Sequence, residues 1–308
     1  MVRELQPGEL LDDRYKIIER LGGGSFGQTY LAEDTRKFWF RCVIKQLNPA
    51  FTEQSQLDKA REWFEREAQA LHELGQHSQI PELFEYSRQD FYLVQELILG
   101  NDLSRETEKK WSEPEVIDFL QDVLETLAVV HKNETIHRDL KPENLMRRES
   151  DSKIVLIDFG TVTAASAQSF DDEGILVKDY TVAAGTPEYM AAEQTMGQPG
   201  KSSDIYSVGL IAIQFLTGQR PGELKRDKKT LEFIWQNTVN INREFSRILT
   251  KMVKYDFRER YQTAREVLDN LQNYLTPDYV EINSSQSQSK KESHFARWKK
   301  LLNRRKQT

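Results

Sequence analysis

One short segment gathers three side chains that together could transfer a phosphoryl group. Asp139 is followed by Lys141 two residues later and by Asn144 five residues later. A carboxylate can accept the proton of an attacking hydroxyl, a cation can steady the transferring phosphate, and an amide oxygen can bind Mg²⁺. A plain polar loop does not explain this combination, so the segment predicts a phosphoryl-transfer site.

A second carboxylate follows an apolar stretch. Asp158 comes fourteen residues after Asn144, directly behind the strand-like residues 154–157 and ahead of Phe159 and Gly160. A carboxylate at the end of a strand suits a metal ligand. Taken alone, this triplet would also fit a surface turn.

Gly22, Gly24 and Gly27 form a G-x-G-x-x-G pattern. In dinucleotide-binding folds the same pattern must open a helix. Here a polar turn at residues 33–37 leaves no room for that helix, so a glycine loop between two strands fits better. Either the loop lets backbone N–H groups approach phosphate oxygens, or it is an ordinary hairpin, and this segment alone leaves both open.

Lys45 ends the next strand-like stretch. A lysine at a strand end is most often solvated. The alternative is a fixed cation on nucleotide phosphates, which needs a carboxylate to hold it. Glu67, 22 residues further along a predicted helix, is the candidate, and spacing does not exclude its neighbours Glu62 and Glu65.

Strand-like segments come first along the chain, and helical segments follow. Strands are predicted at residues 15–18, 29–32, 38–45 and 91–98. Helices are predicted over about 57–74, from the Ser112/Glu115 capping box through 127, and over 204–217, 248–253 and 267–274. This order predicts an α+β protein with two unequal lobes.

Length and composition exclude several classes of protein. The chain has 308 residues, 38% of them apolar, which suits a folded protein with a sizeable core. Its longest strongly apolar stretch, residues 208–216, is far shorter than the roughly 20 residues of a membrane span. A single cysteine, Cys42, excludes a disulfide framework and a cysteine-rich zinc site. We therefore expect a soluble cytoplasmic protein without a secretory signal.

Charge is distributed unevenly along the chain. Residues 285–308 carry eight Lys or Arg and one acid, so this tail has a charge of +7 and the rest of the chain −13, within a net charge of −6. An acidic body argues against nucleic-acid binding. Apolar side chains recur in the tail at helical spacing: Phe295, Trp298, Leu301 and Leu302. The tail is expected to contact an anionic membrane peripherally, to fold back on the acidic body, or to stay solvated.

The chemical segments occur in a known order. The glycine loop, the strand-end lysine, the helix glutamate, H-R-D-L-K-P-E-N at residues 137–144 and D-F-G at 158–160 make up the protein-kinase signature set. Over residues 15–275 the chain resembles the eukaryotic-like (Hanks-type) serine/threonine protein kinases, and a bacterial source is compatible with this. Later landmarks agree, namely G-T-P-E-Y-M-A-A-E at 185–193, D-I-Y-S-V-G at 204–209, and Arg260-Tyr261.

The resemblance implies a bilobal kinase fold. The small N-lobe, an antiparallel sheet with one main helix, would span about residues 15–98, and the larger, mostly helical C-lobe about 102–275. Outside the domain, residues 1–14 would be a lead-in, 276–294 a flexible Ser/Gln linker and 295–308 the basic amphipathic tail.

Catalytic roles also follow from the resemblance. Asp139 would be the catalytic base and Lys141 would contact the γ-phosphate. Asn144 and Asp158 would hold Mg²⁺, with Mn²⁺ as an alternative. ATP would be the phosphate donor, and Ser or Thr hydroxyls of proteins the acceptors.

The ATP site would lie between the lobes. Lys45 would contact the α- and β-phosphates and pair with Glu67, and Gln95 would gate the pocket behind adenine. The residues implied to bind ATP are Leu21, Gly22, Gly23, Gly24, Ser25, Phe26, Gly27, Gln28, Thr29, Val43, Lys45, Gln95, Glu96, Ile98, Asp102, Met146 and Asp158.

Residues 158–193 would form the activation segment. Thr186 would bond the catalytic Asp and Lys, and Glu193 would pair with Arg260. Arg138 precedes the catalytic Asp, which in this family marks kinases switched by phosphorylation. Either a phosphate on Thr181 pairs with Arg138 and orders the segment, or Thr181 is simply a loop residue.

Four positions depart from the family pattern without removing a charged catalytic group. Thr29 replaces Val, Val43 replaces Ala, Ala192 replaces Pro, and Cys42 replaces an aliphatic residue. All four are expected to affect packing around the nucleotide or the rigidity of the activation segment, and so to alter ATP affinity.

The rival function is a pseudokinase that binds ATP or a partner as a scaffold.

Overall fold

The computed structural model describes residues 4–23, 27–47, 54–159, 163–164, 169–170, 176–177 and 186–276. Its strands are Leu10–Leu11 (β1), Tyr15–Gly23 (β2), Gly27–Asp34 (β3), Phe40–Leu47 (β4), Leu83–Ser87 (β5), Tyr92–Glu96 (β6), Gly100–Asp102 (β7), Thr135–Ile136 (β8), Leu145–Arg148 (β9), Ile154–Leu156 (β10), Thr163–Ala164 (β11), Ser169–Phe170 (β12), Leu176–Val177 (β13), Lys225–Arg226 (β14) and Phe233–Ile234 (β15). Its α-helices are Gln54–Leu74 (α1), Glu113–Lys132 (α2), Ala192–Thr195 (α3), Lys201–Thr217 (α4), Arg243–Met252 (α5) and Ala264–Leu275 (α6).

An antiparallel sheet with the order β1-β2-β3-β4-β6-β5 forms the N-lobe. Its register pairs Val43 with Gln95 and Lys45 with Leu93. Because residues directly opposite each other share a face, these four side chains lie on one face of the sheet. Side chains alternate along a strand, so Cys42 lies on the other face.

The outer face of this sheet has a small core of its own. Cys42 is buried there with Tyr15, Tyr30 and their neighbours, and Leu5 packs against them from the N-terminal segment. The expectation that Cys42 affects packing around the nucleotide is therefore wrong, because its alternation with Lys45 sends its side chain away from that face. Burial raises the pKa of the Cys42 thiol to about 12, so it stays protonated.

Helix α1 packs on the sheet through a periodic apolar stripe. Ala60, Phe64, Leu71 and Leu74 are buried at helical spacing. The helix begins at Gln54, a few residues before the position that the sequence predicts. It ends before Gly75, where an added Cβ would lie 2.5 Å from the Leu71 carbonyl oxygen, so no larger residue fits this turn.

The C-lobe is built around α2 and α4. The predicted capping box of Ser112 and Glu115 opens α2. Helix α4 is buried along almost its whole length and ends at Gly218, whose φ of 69° is left-handed. Gly209 brings α4 close to the end of α5, because a Cβ there would lie 2.7 Å from Val253. The α+β fold with a sheet-based N-lobe and a helical C-lobe is thus confirmed.

The turn between β3 and β4 differs from its prediction. Residues 38–45 read as one strand, but β4 begins only at Phe40, and Phe38 and Trp39 have φ values of 52° and 61°. Backbone bonds close this turn, since the N–H groups of Lys37 and Trp39 both donate to the Asp34 carbonyl. Hydrophobicity alone misplaced the boundary, because aromatic residues are usual in strands and unusual at left-handed φ.

Upstream of the kinase-like region, β1 pairs with β2 through Leu10–Lys16 and Leu11–Tyr15.

In the part of the chain that the structure describes, no helix combines the length and apolar character that crossing a bilayer requires.

Candidate active site

The catalytic-loop backbone is held from inside the C-lobe by one buried carboxylate. Asp204, near the start of α4, accepts hydrogen bonds from the backbone N–H groups of His137 and Arg138, both at 2.8 Å. It also contacts His131 Nε2 at 2.9 Å. Arg138 has a φ of 71°, so this anchor holds the loop in a conformation that non-glycine residues rarely adopt.

Asp139 lies at the centre of a tight polar cluster. Its Oδ1 accepts from the Thr186 backbone N–H at 2.8 Å and from the Thr186 hydroxyl at 3.1 Å. Its Oδ2 lies 2.9 Å from Lys141 Nζ and accepts from Asn144 Nδ2 at 3.0 Å. Lys141 also donates to the Thr186 hydroxyl at 2.9 Å. Three predicted site residues therefore converge on the Asp139 carboxylate.

Lys45 joins the two sides of the cleft. Its Nζ donates to Glu67 and lies 3.0 Å from Asp158 Oδ1. Burial alone would lower the pKa of Lys45, but the carboxylates of Asp158 and Glu67 outweigh it and the net shift is upward. Lys45 therefore remains a cation at neutral pH.

The structure decides between the three candidate glutamates on α1. Glu67 is buried and reaches Lys45. Glu62 pairs with Arg66, and Glu65 pairs with Arg88 at 2.7 Å, both near the surface. Helical phase explains the difference, because only one of the three positions faces the sheet.

Asp158 and the catalytic loop are neighbours. The N–H of Ile157 donates to the Asn144 carbonyl at 3.0 Å, which places Asp158 beside Asn144. Asp158 has a φ of 66°, another rare conformation at a predicted site residue. Behind it, the rings of Phe159 and His137 lie 4.8 Å apart between centroids. Phe159 and Leu71 belong to one buried cluster.

The remaining predicted ATP residues lie on the strands that face the cleft. Leu21, Gly22 and Gly23 end β2, whereas Gly27, Gln28 and Thr29 open β3, and Met146 of β9 pairs with Asp102 of β7. Gly24, Ser25 and Phe26 lie outside the described residues. Gly27 must be small, because a Cβ there would lie 2.4 Å from the Gln46 carbonyl oxygen.

Two residues near the predicted adenine edge are partly engaged within the protein. The N–H of Glu96 donates to the Glu82 carbonyl at 2.9 Å, so this backbone donor is engaged within the protein. Asp102 accepts from the Ser104 N–H at 3.0 Å and caps a short 3₁₀ turn. Gln95 and Ile98 are buried, as a pocket wall requires.

A buried ion pair supports the end of the activation segment. Arg260 donates to Glu193 at 2.6 and 3.1 Å, as predicted, and Ser203 donates to the same carboxylate at 2.7 Å. Ala192, where the family has Pro, is the first residue of α3. Thr181 lies outside the described residues.

Sequence reasoning missed two supporting residues. His131 contacts Asp204, and Gln194 Nε2 donates to the Arg138 carbonyl at 2.6 Å. The available signal for His131 was a polar residue within the apolar stripe of α2. Gln194 offers no such signal, because its contact spans 56 residues of sequence.

A sequence profile described as "Protein kinase domain" matches residues 15–274, most of the chain and every motif above. The chain belongs to the protein kinase family. The kinase domain is thus the sheet, the cleft and the helical lobe together, and the β1 strand lies just outside the matched range.

Named relatives are bacterial and eukaryotic kinases. "Serine/threonine-protein kinase PknA" of a Nostoc species is 41% identical over 271 residues, covering 86% of this chain and 48% of the relative. "Serine/threonine-protein kinase C" of a Synechocystis species is 42% identical, covering 86% and 51%. "Calcium/calmodulin-dependent protein kinase type 1" of Caenorhabditis elegans is 32% identical over 70% of this kinase chain and 59% of its own length. The chain spans about half the length of the bacterial relatives it matches.

Proposed function

We propose that this protein is an ATP- and Mg²⁺-dependent serine/threonine protein kinase. One observation carries the proposal: Lys141, Asn144 and Thr186 all contact the Asp139 carboxylate, and Lys45 bridges Glu67 and Asp158. Members of the family with similar sequences are named serine/threonine kinases, which supports the same activity here.

In this proposal, Asp139 receives the proton of the acceptor hydroxyl. Its two oxygens are fixed by Thr186 on one side and by Lys141 and Asn144 on the other, so the carboxylate is aimed before substrate arrives. Lys141 offers positive charge to the γ-phosphate. Such preorganised charge, rather than covalent chemistry by the protein, supplies most of the rate in phosphoryl transfer.

The residues present fit a divalent metal ion. Asn144 uses its Nδ2 to donate to the backbone carbonyl and the carboxylate of Asp139, which orients the amide so that its Oδ1 is the group left to act as a ligand. The Asp158 side chain is 46% exposed and supplies a carboxylate. Amide and carboxylate oxygens are the ligands that Mg²⁺ prefers. Bound there, Mg²⁺ would neutralise charge on the β- and γ-phosphates.

The rival function, a scaffold that binds ATP without transferring phosphate, is tested by the variant Asp139→Asn. The kinase proposal expects the unaltered protein to transfer radiolabelled phosphate to casein. The variant should be at least about 100-fold slower, because an amide cannot act as the general base. Glu149→Gln is the matched control, because Glu149 is an exposed carboxylate on the same segment outside the cleft. ATP binding with equal, negligible transfer by all three proteins would favour the scaffold.

We also propose that a phosphate in the activation segment completes the active state. Arg138 is buried, and within the described part of the chain its Nε and Nη2 atoms have no hydrogen-bond partner. Burial and the nearby charge of Arg66 both lower the pKa of Arg138, so an anion there would be stabilising. Thr181 is the proposed acceptor.

Mass spectrometry of the active protein tests this regulation. We expect phosphate on Thr181, and lower activity in Thr181→Ala but not in the matched control Ser166→Ala. Fully active protein without modification at Thr181 would contradict the proposal.

For the tail, we propose peripheral contact either with an anionic membrane or with the acidic kinase body. The charge of +7 over residues 285–308 supports both. Pelleting the full chain with anionic liposomes, in comparison with a chain that ends at Ser284, distinguishes them. Reduced pelleting of the shorter chain supports the membrane contact, and unchanged pelleting excludes it.

A further inference from the structure

The turn between β3 and β4 presents an aromatic surface that phosphoryl transfer does not use. Phe38, Trp39 and Phe40, here called the aromatic tip, are 99%, 55% and 50% exposed. Across the described residues, no other large apolar side chain is as exposed as Phe38, and the next is Met196 at 68%. A fully exposed aromatic ring beside two half-exposed ones is unusual at a protein surface and points to a partner that covers it.

Backbone conformation makes the tip more unusual. Phe38 and Trp39 both have left-handed φ, which costs free energy for any residue with a Cβ and suits Gly or Asn far better. The Phe38 ring gains no packing in return, because it points into solvent. The fold therefore gives no structural reason for a phenylalanine at this position.

The base of the tip is rigid. The Phe40 ring packs edge-to-face on Phe84 at 5.9 Å, and Lys37 Nζ lies 5.0 Å above the same ring. Lys16 Nζ lies 5.7 Å above the Trp39 ring. With these contacts and the bonds to the Asp34 carbonyl, the turn holds Phe38 outward rather than letting it fold back.

Charge around the tip is basic. Residues 35–41 contain Arg36, Lys37 and Arg41 and no acid, and Lys16 adds a fourth cation. The nearest carboxylates are largely engaged: Asp34 is buried and held by Arg14 at 2.7 Å, and Glu33 lies 3.9 Å from Arg41. Asp12 and Asp13, on the neighbouring turn, are both exposed.

We propose that the aromatic tip inserts into the interface of an anionic lipid bilayer. A convex turn whose apex is aromatic and whose rim is basic matches the headgroup region, where aromatic rings enter the acyl boundary and cations meet anionic lipid. Charge argues against the other occupants. A second copy that paired tip to tip would bring an equally basic tip, and residues 285–308 of this chain carry +7. An acidic protein would satisfy the rim but would not need three rings on a convex apex.

The test is co-sedimentation of the full chain with vesicles of phosphatidylcholine containing about one-third phosphatidylglycerol. Phe38→Asn removes the ring, and its new residue tolerates left-handed φ, so the fold and phosphate transfer should be unchanged. We expect its partition onto vesicles to fall at least about tenfold. Arg36→Gln with Lys37→Gln should weaken binding about fivefold for each charge removed.

Leu231→Asn is the matched control, because Leu231 is also exposed and also has left-handed φ, but lies in the C-lobe. It should partition like the unaltered chain. All variants are repeated with Phe295, Trp298, Leu301 and Leu302 changed to Ser, and the difference between Phe38→Asn and Leu231→Asn should persist without the apolar side chains of the tail.

Insertion has its own spectroscopic signature. In a Trp298→Phe background, vesicles should shift the emission of Trp39 to the blue, and Trp39→Phe should abolish the shift. Three outcomes would overturn the proposal: no vesicle binding by the unaltered chain, equal binding of Phe38→Asn and Leu231→Asn, or a change in oligomeric state of Phe38→Asn without lipid, which would assign the tip to a second copy.

Discussion

Two ion pairs inside the kinase domain differ in how many partners each has. Arg260 is completely buried and donates to Glu193 and also to backbone carbonyls of Lys254, Tyr255 and Ser202. Lys45 is 16% exposed and, within the described residues, bonds two carboxylates, one from α1 and one from Asp158. The first pair is fixed by many bonds within one lobe. The second pair forms only when α1 holds Glu67 within reach of Lys45, so a movement of α1 would break the pair and change activity.

The largest effect should come from breaking the fixed pair. Arg260→Met leaves the Glu193 carboxylate buried without its cation, which typically costs about 3–5 kcal/mol of unfolding free energy. Urea denaturation measures this loss. Arg258→Met is the control, because Arg258 is 76% exposed and should change stability little. Equal midpoints for the two variants would contradict the comparison.

Breaking the second pair should reduce activity far more than stability. In Glu67→Gln, Lys45 keeps Asp158 as a partner but loses the contact with α1 that fixes the position of its side chain. We expect kcat/KM to fall about 100-fold, because displacing a positioned group by about 1 Å has that cost. Unfolding free energy should change by about 1 kcal/mol or less.

The control for this variant lies on the same helix. Glu65→Gln removes a surface pair with Arg88 and should leave both kinetics and stability unchanged. A loss of activity equal to that of Glu67→Gln would mean that α1 as a whole, rather than the buried pair, matters.

Acid should weaken the region around the catalytic loop. Burial lowers the pKa of His137 below its usual 6.5, although nearby carboxylates oppose the shift. The unfolded chain therefore takes up a proton below pH 6.5 that the folded chain does not, and this stability, present above pH 6.5, is lost as pH falls.

Thermal or urea unfolding at neutral and mildly acidic pH measures the effect. His137→Phe keeps a ring against Phe159 and should flatten the acid slope by up to about 1.4 kcal/mol per pH unit. His72→Gln, at an exposed position, is the control. An unchanged slope in His137→Phe would contradict this account.

The smallest expected effect concerns Thr29, on the sheet face that covers the cleft. Thr29 lies on the same sheet face as Lys45, where a hydroxyl replaces the Val usual in this family. Thr29→Val should lower KM for ATP by about threefold without changing kcat, because desolvating the hydroxyl costs only a modest free energy. Thr29→Ser keeps the hydroxyl and should not lower KM.

The sequence was sufficient wherever the chemistry lies in a short segment. Asp139, Lys141 and Asn144 are close in the chain, and the structure brings them into contact. Choosing Glu67 over Glu62 and Glu65 required the phase of α1 against the sheet, which spacing does not contain. The face of Cys42, by contrast, could have been read from its odd separation from Lys45.

Other features depend on tertiary context. The anchoring of the loop by Asp204 spans 67 residues to His137, and only the family resemblance, not any local spacing, implies this contact. Aromatic residues favour strands, so the sequence predicts a strand at Phe38 and Trp39, whereas the backbone bonds of this segment to the Asp34 carbonyl make it a turn.

The N-terminal segment has a practical consequence. Leu5 and Leu11 cover apolar side chains on the outer sheet face, and the Leu5 N–H donates to the Tyr30 hydroxyl at 3.2 Å. A shortened protein that began at residue 15, where the family match begins, would expose those side chains to solvent and lose the edge strand β1. We expect such a shortened protein to aggregate during purification, so an affinity tag should be placed before residue 4 without removing this segment.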